Sequence, residues 1–351
     1  ATAPAAGPEA YTVVPADRSF TFAPSSAWIH TVQLTGLEPD TLYSVILDHP
    51  TNPDTFTFRT APAERKEIVF LAGGDSRSNR ATRRIINALA AAENPDFIIF
   101  DGDFIATPDS ESQWNDWFDD WHEQLIHDGR RIPIIPAIGN HEVIGGWNKT
   151  KAEAPYYYNR FMLPDPGTHY ALTYGPDLLI VTLDSDHTEQ IENQTAWLTQ
   201  TLHAHRRLPW KIVQYHHAAW PSVRDFNATV PVKIRTQWIP IFEQYDVDLV
   251  VEAHDHAYKL TERIRNGAVD PTGIVYTGDG GWGAPLRDVK DPANFWWLKE
   301  ALKIDHFWKF TLSADARKLT VEVVFHGDPG ENGKPFVLEK EGPPGTLLLV
   351  E

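Results

Sequence analysis

Five times along this chain a short apolar run stops at a side chain that can offer an electron pair, and this repetition constrains the fold more than any other feature. The runs at 67–71, 97–100, 133–138, 210–215 and 246–251 lead in turn into Gly74-Asp75, Gly102-Asp103, Gly139-Asn140-His141-Glu142, His216-His217 and Ala253-His254-Asp255-His256. Runs of this length read as buried strands, and helix-like segments lie between most of them, so an α/β sheet is expected. Open sheets of that kind collect ligands at the carboxyl ends of their strands. His254 and His256 are two residues apart, which in an extended backbone puts both rings on one side. Carboxylate, amide and imidazole converging on one edge would form a cage suited to two divalent or trivalent transition metals.

Charge and composition narrow the function. With 31 Lys+Arg against 48 Asp+Glu the formal charge is −17, which argues against non-specific binding to nucleic-acid polymers or anionic membranes. There is no cysteine, so disulfides and thiolate ligands are excluded. No apolar run approaches the roughly 20 residues of a membrane span. The first residues, Ala1-Thr2-Ala3-Pro4, lack an initiator Met, as a mature chain after signal removal would, and suggest a secreted or periplasmic protein. Asn148, Asn193 and Asn227 open formal glycosylation sequons.

Two regions are expected: a β module over 1–62 and a catalytic domain over 63–351. In the first, segments near 20–22, 28–34, 42–47 and 56–60 alternate or run apolar between Pro and Gly turns, which suggests a small β-sandwich. The stretch from Leu34 to Tyr43, closing on Phe58-Arg59-Thr60, resembles the end of a fibronectin type III domain, although about 60 residues fall short of the ~100 such a domain needs. In the second region, 79–89 reads as an amphipathic helix, and Trp114, Trp117 and Trp121 at helical spacing read as core. Tyr156, Tyr157 and Tyr158 read as an aromatic cluster under a loop. Runs at 170–174 and 178–183 start a second sheet, and 189–205 reads as a helix. The glycine-rich segment 273–283 follows a strand, and 306–312 with 318–325 reads as a hairpin completing that second sheet.

The ordered motifs Gly74-Asp75, Gly102-Asp103, Gly139-Asn140-His141-Glu142, His216 and His254-x-His256 resemble the calcineurin-like metallophosphoesterase superfamily, in particular its purple-acid-phosphatase-like branch. The resemblance implies an α/β fold of two packed mixed β-sheets flanked by helices, behind the small β-sandwich-like segment. It implies two metal ions, Fe, Zn or Mn, with Asp103 bridging, Asp75 and His256 completing one site, and Asn140, His216 and His254 completing the other. The implied activity is hydrolysis of a small-molecule phosphate ester by in-line attack of a metal-bound hydroxide. A monoester is expected, with a phosphodiesterase on the same metals as the alternative. His141 would stabilise or protonate the reacting phosphoryl group, and Glu142 would orient the loop.

Two departures bear on the site. The tyrosine ligand of purple acid phosphatases falls at Ala106, and the histidine of other superfamily members falls at Arg77, whose guanidinium suits bidentate phosphate capture. The paired substrate histidines of plant-type enzymes fall near Asp225 and Phe226, leaving His217 as the nearest substitute for binding substrate. A Ser76 nucleophile, as in alkaline phosphatases, would leave Asn140 and the two C-terminal histidines unexplained. A binding protein with a decayed site would explain the gaps at Ala106 and Arg77.

Overall fold

A computed structural model describes residues 11–48 and 54–340. Two mixed sheets pack face to face. In one, Ile68–Gly73 pairs in parallel with Phe97–Phe100, which pairs in parallel with Ile134–Pro136. Its other edge pairs antiparallel with Asp305–Leu312, and Lys318–His326 and Phe336–Glu339 follow. The other sheet runs in the order Tyr170–Tyr174, Leu178–Thr182, Trp210–His217, Leu249–Ala253, Val275–Gly278, Tyr258–Thr261, Leu298–Leu302.

Both faces of the central strands are covered, which is why they are apolar without alternation. Phe70, Phe97 and Ile99 point between the sheets and meet Ile180, Ile212, Leu249 and Val251. Their neighbours Leu71, Ile98 and Phe100 point outward onto Ile86, Ala90, Trp114 and Trp117, from the helices Arg80–Ala92 and Glu111–Gln124. Those helices start where Asn79 and Ser110 accept the backbone N–H of Thr82 and Gln113. On the far side, Leu198, Ile234 and Phe242 cover Leu179, Val213 and Val250. The expected two-sheet architecture flanked by helices is therefore what the chain adopts, and the three tryptophans and three tyrosines serve packing.

Two expectations need correction. The hairpin at 305–326 completes the first sheet and not the second, because Asp305–Leu312 lies against Ile68–Gly73. Nor do the described residues before 63 form a closed sandwich. Arg18–Phe20 and Ile29–Thr31 make a two-stranded ribbon. Leu42–Leu47 and Asp54–Arg59 form a hairpin that continues through Arg130–Arg131 into Ile126–His127. One sheet thus runs across the expected boundary at 62, since a lone hairpin is marginal and gains by extending onto strands already fixed. Residues 1–10, which carry the reading of a processed N-terminus, lie outside the described residues. Among the described residues no helix is long and apolar enough to cross a membrane.

Candidate metal centre

All five donor segments meet at the carboxyl ends of their strands, but His254 and His256 do not get there by the extended geometry expected of that pair. Asp75, Asp103, His254 and His256 all adopt left-handed backbone, with φ of 57°, 56°, 79° and 57°. Non-glycine residues pay about 1–3 kcal/mol each for such a conformation, so the surrounding fold must impose it. The strand Leu249–Ala253 ends before His254, and the two turns, rather than strand alternation, aim the histidines. Close backbone approach explains the glycines: a Cβ on Gly139 would lie 2.4 Å from Asp103 Oδ1, and one on Gly280 would lie 1.8 Å from Asp75 Oδ2. The glycine-rich 278–283 turn therefore closes over Asp75.

Two groups of donor atoms result, each within 4.8 Å: Asp103 with His216 and His254, and Asp75 with Asp103 and His256. Asp103 belongs to both. His216 donates Nδ1–H to the Asp101 carbonyl at 2.7 Å, so its Nε2 presents a lone pair. That lone pair faces His254 Nδ1 at 3.0 Å, Asn140 Oδ1 at 3.2 Å and Asp103 Oδ1 at 3.4 Å. Of these four atoms only His254 Nδ1 can itself carry a proton toward the others, while Asp103 Oδ1 also accepts the His141 backbone N–H at 2.9 Å. His256 likewise donates Nδ1–H to the Pro285 carbonyl at 3.0 Å, leaving Nε2 to face Asp75 Oδ1 at 2.9 Å. Asp75 Oδ1 and Asp103 Oδ2 are buried with no hydrogen-bond partner.

Burial holds the His216 imidazole down to about 3 and that of His256 down to about 4, where the Arg77 charge adds to the effect. Burial also pushes Asp75 well above the ordinary carboxylate range, with the Asp103 charge next in importance. Neutral imidazoles, two buried carboxylates and a part-buried amide face one another, with the Arg77 guanidinium beside Asp103 as the adjacent cation; divalent ions would supply the further positive charge this donor set suits. The donor set fits two such ions.

The remaining expected residues sit around this cluster. His141 donates its backbone N–H to Asp103 Oδ1 at 2.9 Å and its Nδ1–H to the Ala106 carbonyl at 2.7 Å. Its Nε2 lies 3.9 Å from Asp103 Oδ2, and the ring is part-exposed. The position where a tyrosine ligand was sought thus orients His141 through its carbonyl. Arg77 places Nε 3.4 Å from Asp103 Oδ2 and Nη2 3.4 Å from His256 Nε2, with 14% of its side chain exposed. His217 is only 6% exposed and lies on the His254 ring, with centroids 4.4 Å apart. It does not point into the sheet, yet it presents little surface to a substrate. Ser76 is fully buried, accepting from Trp117 Nε1 and donating to the Phe104 carbonyl, so it is not placed as a nucleophile.

Glu142 ties the loops together. Its carboxylate accepts the backbone N–H groups of Asp103, Phe104 and Gly139, each at 2.8 Å. Burial, and then the Asp103 charge, push this carboxyl up to about 8 against those three donors. In the Glu142→Gln protein one buried N–H would face an amide NH2. Urea unfolding is expected to show a loss of about 1–3 kcal/mol.

Sequence reasoning assigned no role to Asp101, Trp147, Arg224 or Arg287. Asp101 is buried with both carboxylate oxygens unpartnered, and Trp147 stands edge-on to His254 with centroids 6.0 Å apart. None lies in a spacing that marks it.

Comparison with known proteins adds to this geometry. The sequence profile described as calcineurin-like phosphoesterase matches residues 49–258. The chain belongs to the calcineurin-like phosphoesterase family. The matched segment ends at the His254–Tyr258 turn and so contains every candidate ligand of this phosphoesterase. An uncharacterized protein of Mycobacterium tuberculosis is 30% identical over 298 residues, covering 72% of this chain and 55% of that protein. Purple acid phosphatase 15 of Arabidopsis thaliana is 27% identical over 295 residues, covering 73% and 54%. The chain thus spans about half the length of these curated relatives. The structure of a purple acid phosphatase from yellow lupin (Lupinus luteus) seeds superposes with a TM-score of 0.74 at 18% identity, covering 93% of this chain and 66% of that one, and so shares the fold.

Proposed function

We propose that this phosphoesterase is a dinuclear metal-dependent hydrolase of small phosphate monoesters. The observation that carries the reading is the lone pair of His216 Nε2, which faces three further electron-pair donors, of which only His254 Nδ1 can itself carry a proton. Asp103, common to both groups, would serve both ions, with Asp75 and His256 holding one and Asn140, His216 and His254 holding the other. Fe, Zn and Mn all accept this mixture of carboxylate, imidazole and amide. Such a pair of ions acidifies water and draws charge from phosphoryl oxygens.

The protein's own groups then divide the remaining work. Arg77, beside the bridging carboxylate, presents a planar fork to the phosphoryl oxygens and limits their rotation. His141, fixed by the Ala106 carbonyl, keeps Nε2 free to hold a proton for the departing oxygen. His217 acts through its contact with the His254 ring, as a positioning residue. A monoester dianion gains from these added positive groups more than a monoanionic diester does, and relatives named purple acid phosphatases agree with that preference. Metal-loaded protein is expected to release nitrophenol faster from 4-nitrophenyl phosphate than from its bis-ester. The reverse order would assign a phosphodiesterase.

Two further results are expected. Because burial and the Asp103 charge raise the Asp75 carboxyl well above its ordinary range, metal binding there should release a proton. A raised carboxyl must lose its proton before coordinating, so affinity should strengthen as pH rises through that range. Titration calorimetry in buffers of different ionisation enthalpy reads the proton count. With Ala106 in the tyrosine position, iron-loaded protein should lack a strong violet band, which a visible spectrum checks.

A further inference from the structure

One fully buried cation takes no part in the proposed reaction. Lys259 lies between two buried carboxylates, its Nζ donating to Glu252 Oε2 at 2.5 Å and to Asp279 Oδ1 at 2.9 Å. The remaining oxygens are also taken. Glu252 Oε1 accepts the Tyr215 hydroxyl at 2.7 Å and the Ala219 N–H at 2.8 Å, and Asp279 Oδ2 accepts the Ser222 hydroxyl at 3.0 Å. Every carboxylate oxygen of the trio therefore has a donor, and three segments are joined through it. Glu252 and Lys259 lie on the strands that enter and leave the His254–His256 turn. Ala219 and Ser222 belong to the loop that follows the strand carrying His216. Asp279 opens the glycine-rich turn, exchanging backbone hydrogen bonds with Ala257 at 2.6 and 3.2 Å. That turn continues to Ala284, whose N–H donates to the Asp75 carbonyl at 2.8 Å.

From this arrangement we infer that Lys259 is a positioning residue for the metal ligands, its two ion pairs holding the His254–His256 turn in the shape that binds both ions. The inference rests on the phosphoesterase reading above and adds a residue outside the donor set that governs metal affinity. Burying three charges adds little net stability, because desolvation offsets most of the attraction and an apolar trio of similar volume would fill the same space. What an apolar trio lacks is direction, whereas a fully satisfied polar network holds its members in one geometry. This turn needs such holding. His254 and His256 keep φ of 79° and 57°, a conformation that persists only while the surroundings impose it. One histidine belongs to each donor group, so a loosened turn would weaken both ions together. Lys259 acts through the backbone, since both of its ion pairs are to residues outside the donor groups.

The test compares Lys259→Met with a Glu252→Gln/Lys259→Met/Asp279→Asn triple variant, which leaves no buried charge of the trio uncompensated and serves if the single variant does not fold. Arg65→Met is the control, breaking a 3.0 Å pair with Asp177 at the opposite end of the strand Leu178–Thr182. Calorimetric titration of the metal-free proteins with zinc should show affinity for both ions lowered about 10- to 100-fold in the Lys259 variants, as loss of support behind a ligand does. The control should stay within about 2-fold of parent. Amide exchange followed by mass spectrometry needs no metal. It should accelerate at 253–260 and 278–284 in the Lys259 variants by about 10-fold or more beyond any change at Phe97–Phe100. Zinc bound by the folded Lys259 variants as tightly as by parent, or weakened equally by Arg65→Met, would overturn the positioning role. A parent that takes up no metal would strike the hydrolase reading instead. The exchange comparison would then decide for Lys259, with no local acceleration at the turn overturning its role.

Discussion

Asp103→Ala protein should hydrolyse 4-nitrophenyl phosphate roughly a thousandfold more slowly than its parent, since metal-supplied charge stabilisation is worth several kcal/mol of barrier. The size of the effect follows from position. Asp103 is the one carboxylate common to both donor groups, so its loss weakens two sites together. Its Oδ1 also accepts the His141 backbone N–H at 2.9 Å, and truncation would loosen that residue as well. Asp103→Asn separates the two effects, because it keeps a side-chain oxygen for the N–H while removing the negative charge. Both variants should therefore lose metal and activity, and Asn should better preserve thermal stability. Initial rates with parallel metal analysis and thermal melts check this.

His141→Ala is expected to behave differently, with kcat down by roughly 10²–10³ and metal content unchanged. The ring stands outside the donor groups, its Nε2 3.9 Å from Asp103 Oδ2, and its Nδ1–H is spent on the Ala106 carbonyl. What it can contribute is a held proton or a hydrogen bond to the phosphoryl group. Loss should be smaller for a substrate whose leaving group needs no protonation. Comparing 4-nitrophenyl phosphate with an alkyl phosphate would expose that difference, and a variant that lost metal in proportion to activity would assign His141 to the cluster itself.

Much of this was legible in the sequence because burial on both faces writes itself as continuous apolar runs. Phe70 and Leu71 face opposite helical and inter-sheet cores, so neither can be polar, and the donors must wait for the strand ends. The order of those ends is local information and survives in one dimension. What was not legible depends on contacts between distant segments. The side of the sheet joined by Asp305–Leu312 is chosen by pairing with Ile68–Gly73, a partner more than 200 residues away. The aim of His254 and His256 comes from left-handed turns imposed by the surrounding fold, and alternation along a strand gave the right convergence for the wrong reason. Ala106 looked like a missing ligand, yet its carbonyl holds His141, a role any residue type could fill and no motif could mark. Arg224 and Arg287 were invisible for the same cause, since each meets the site through the backbone of a turn it does not belong to.

The assignment stands on Asp103 and its five companions holding a pair of cations, and elemental analysis of protein purified without chelator tests that most directly. The expected result is about two transition-metal ions per parent chain and a clear deficit in Asp103→Asn, with phosphate-ester hydrolysis tracking the metal content. Full hydrolysis by protein stripped of metal, or a parent that binds no transition metal when offered Fe, Zn or Mn, would contradict it.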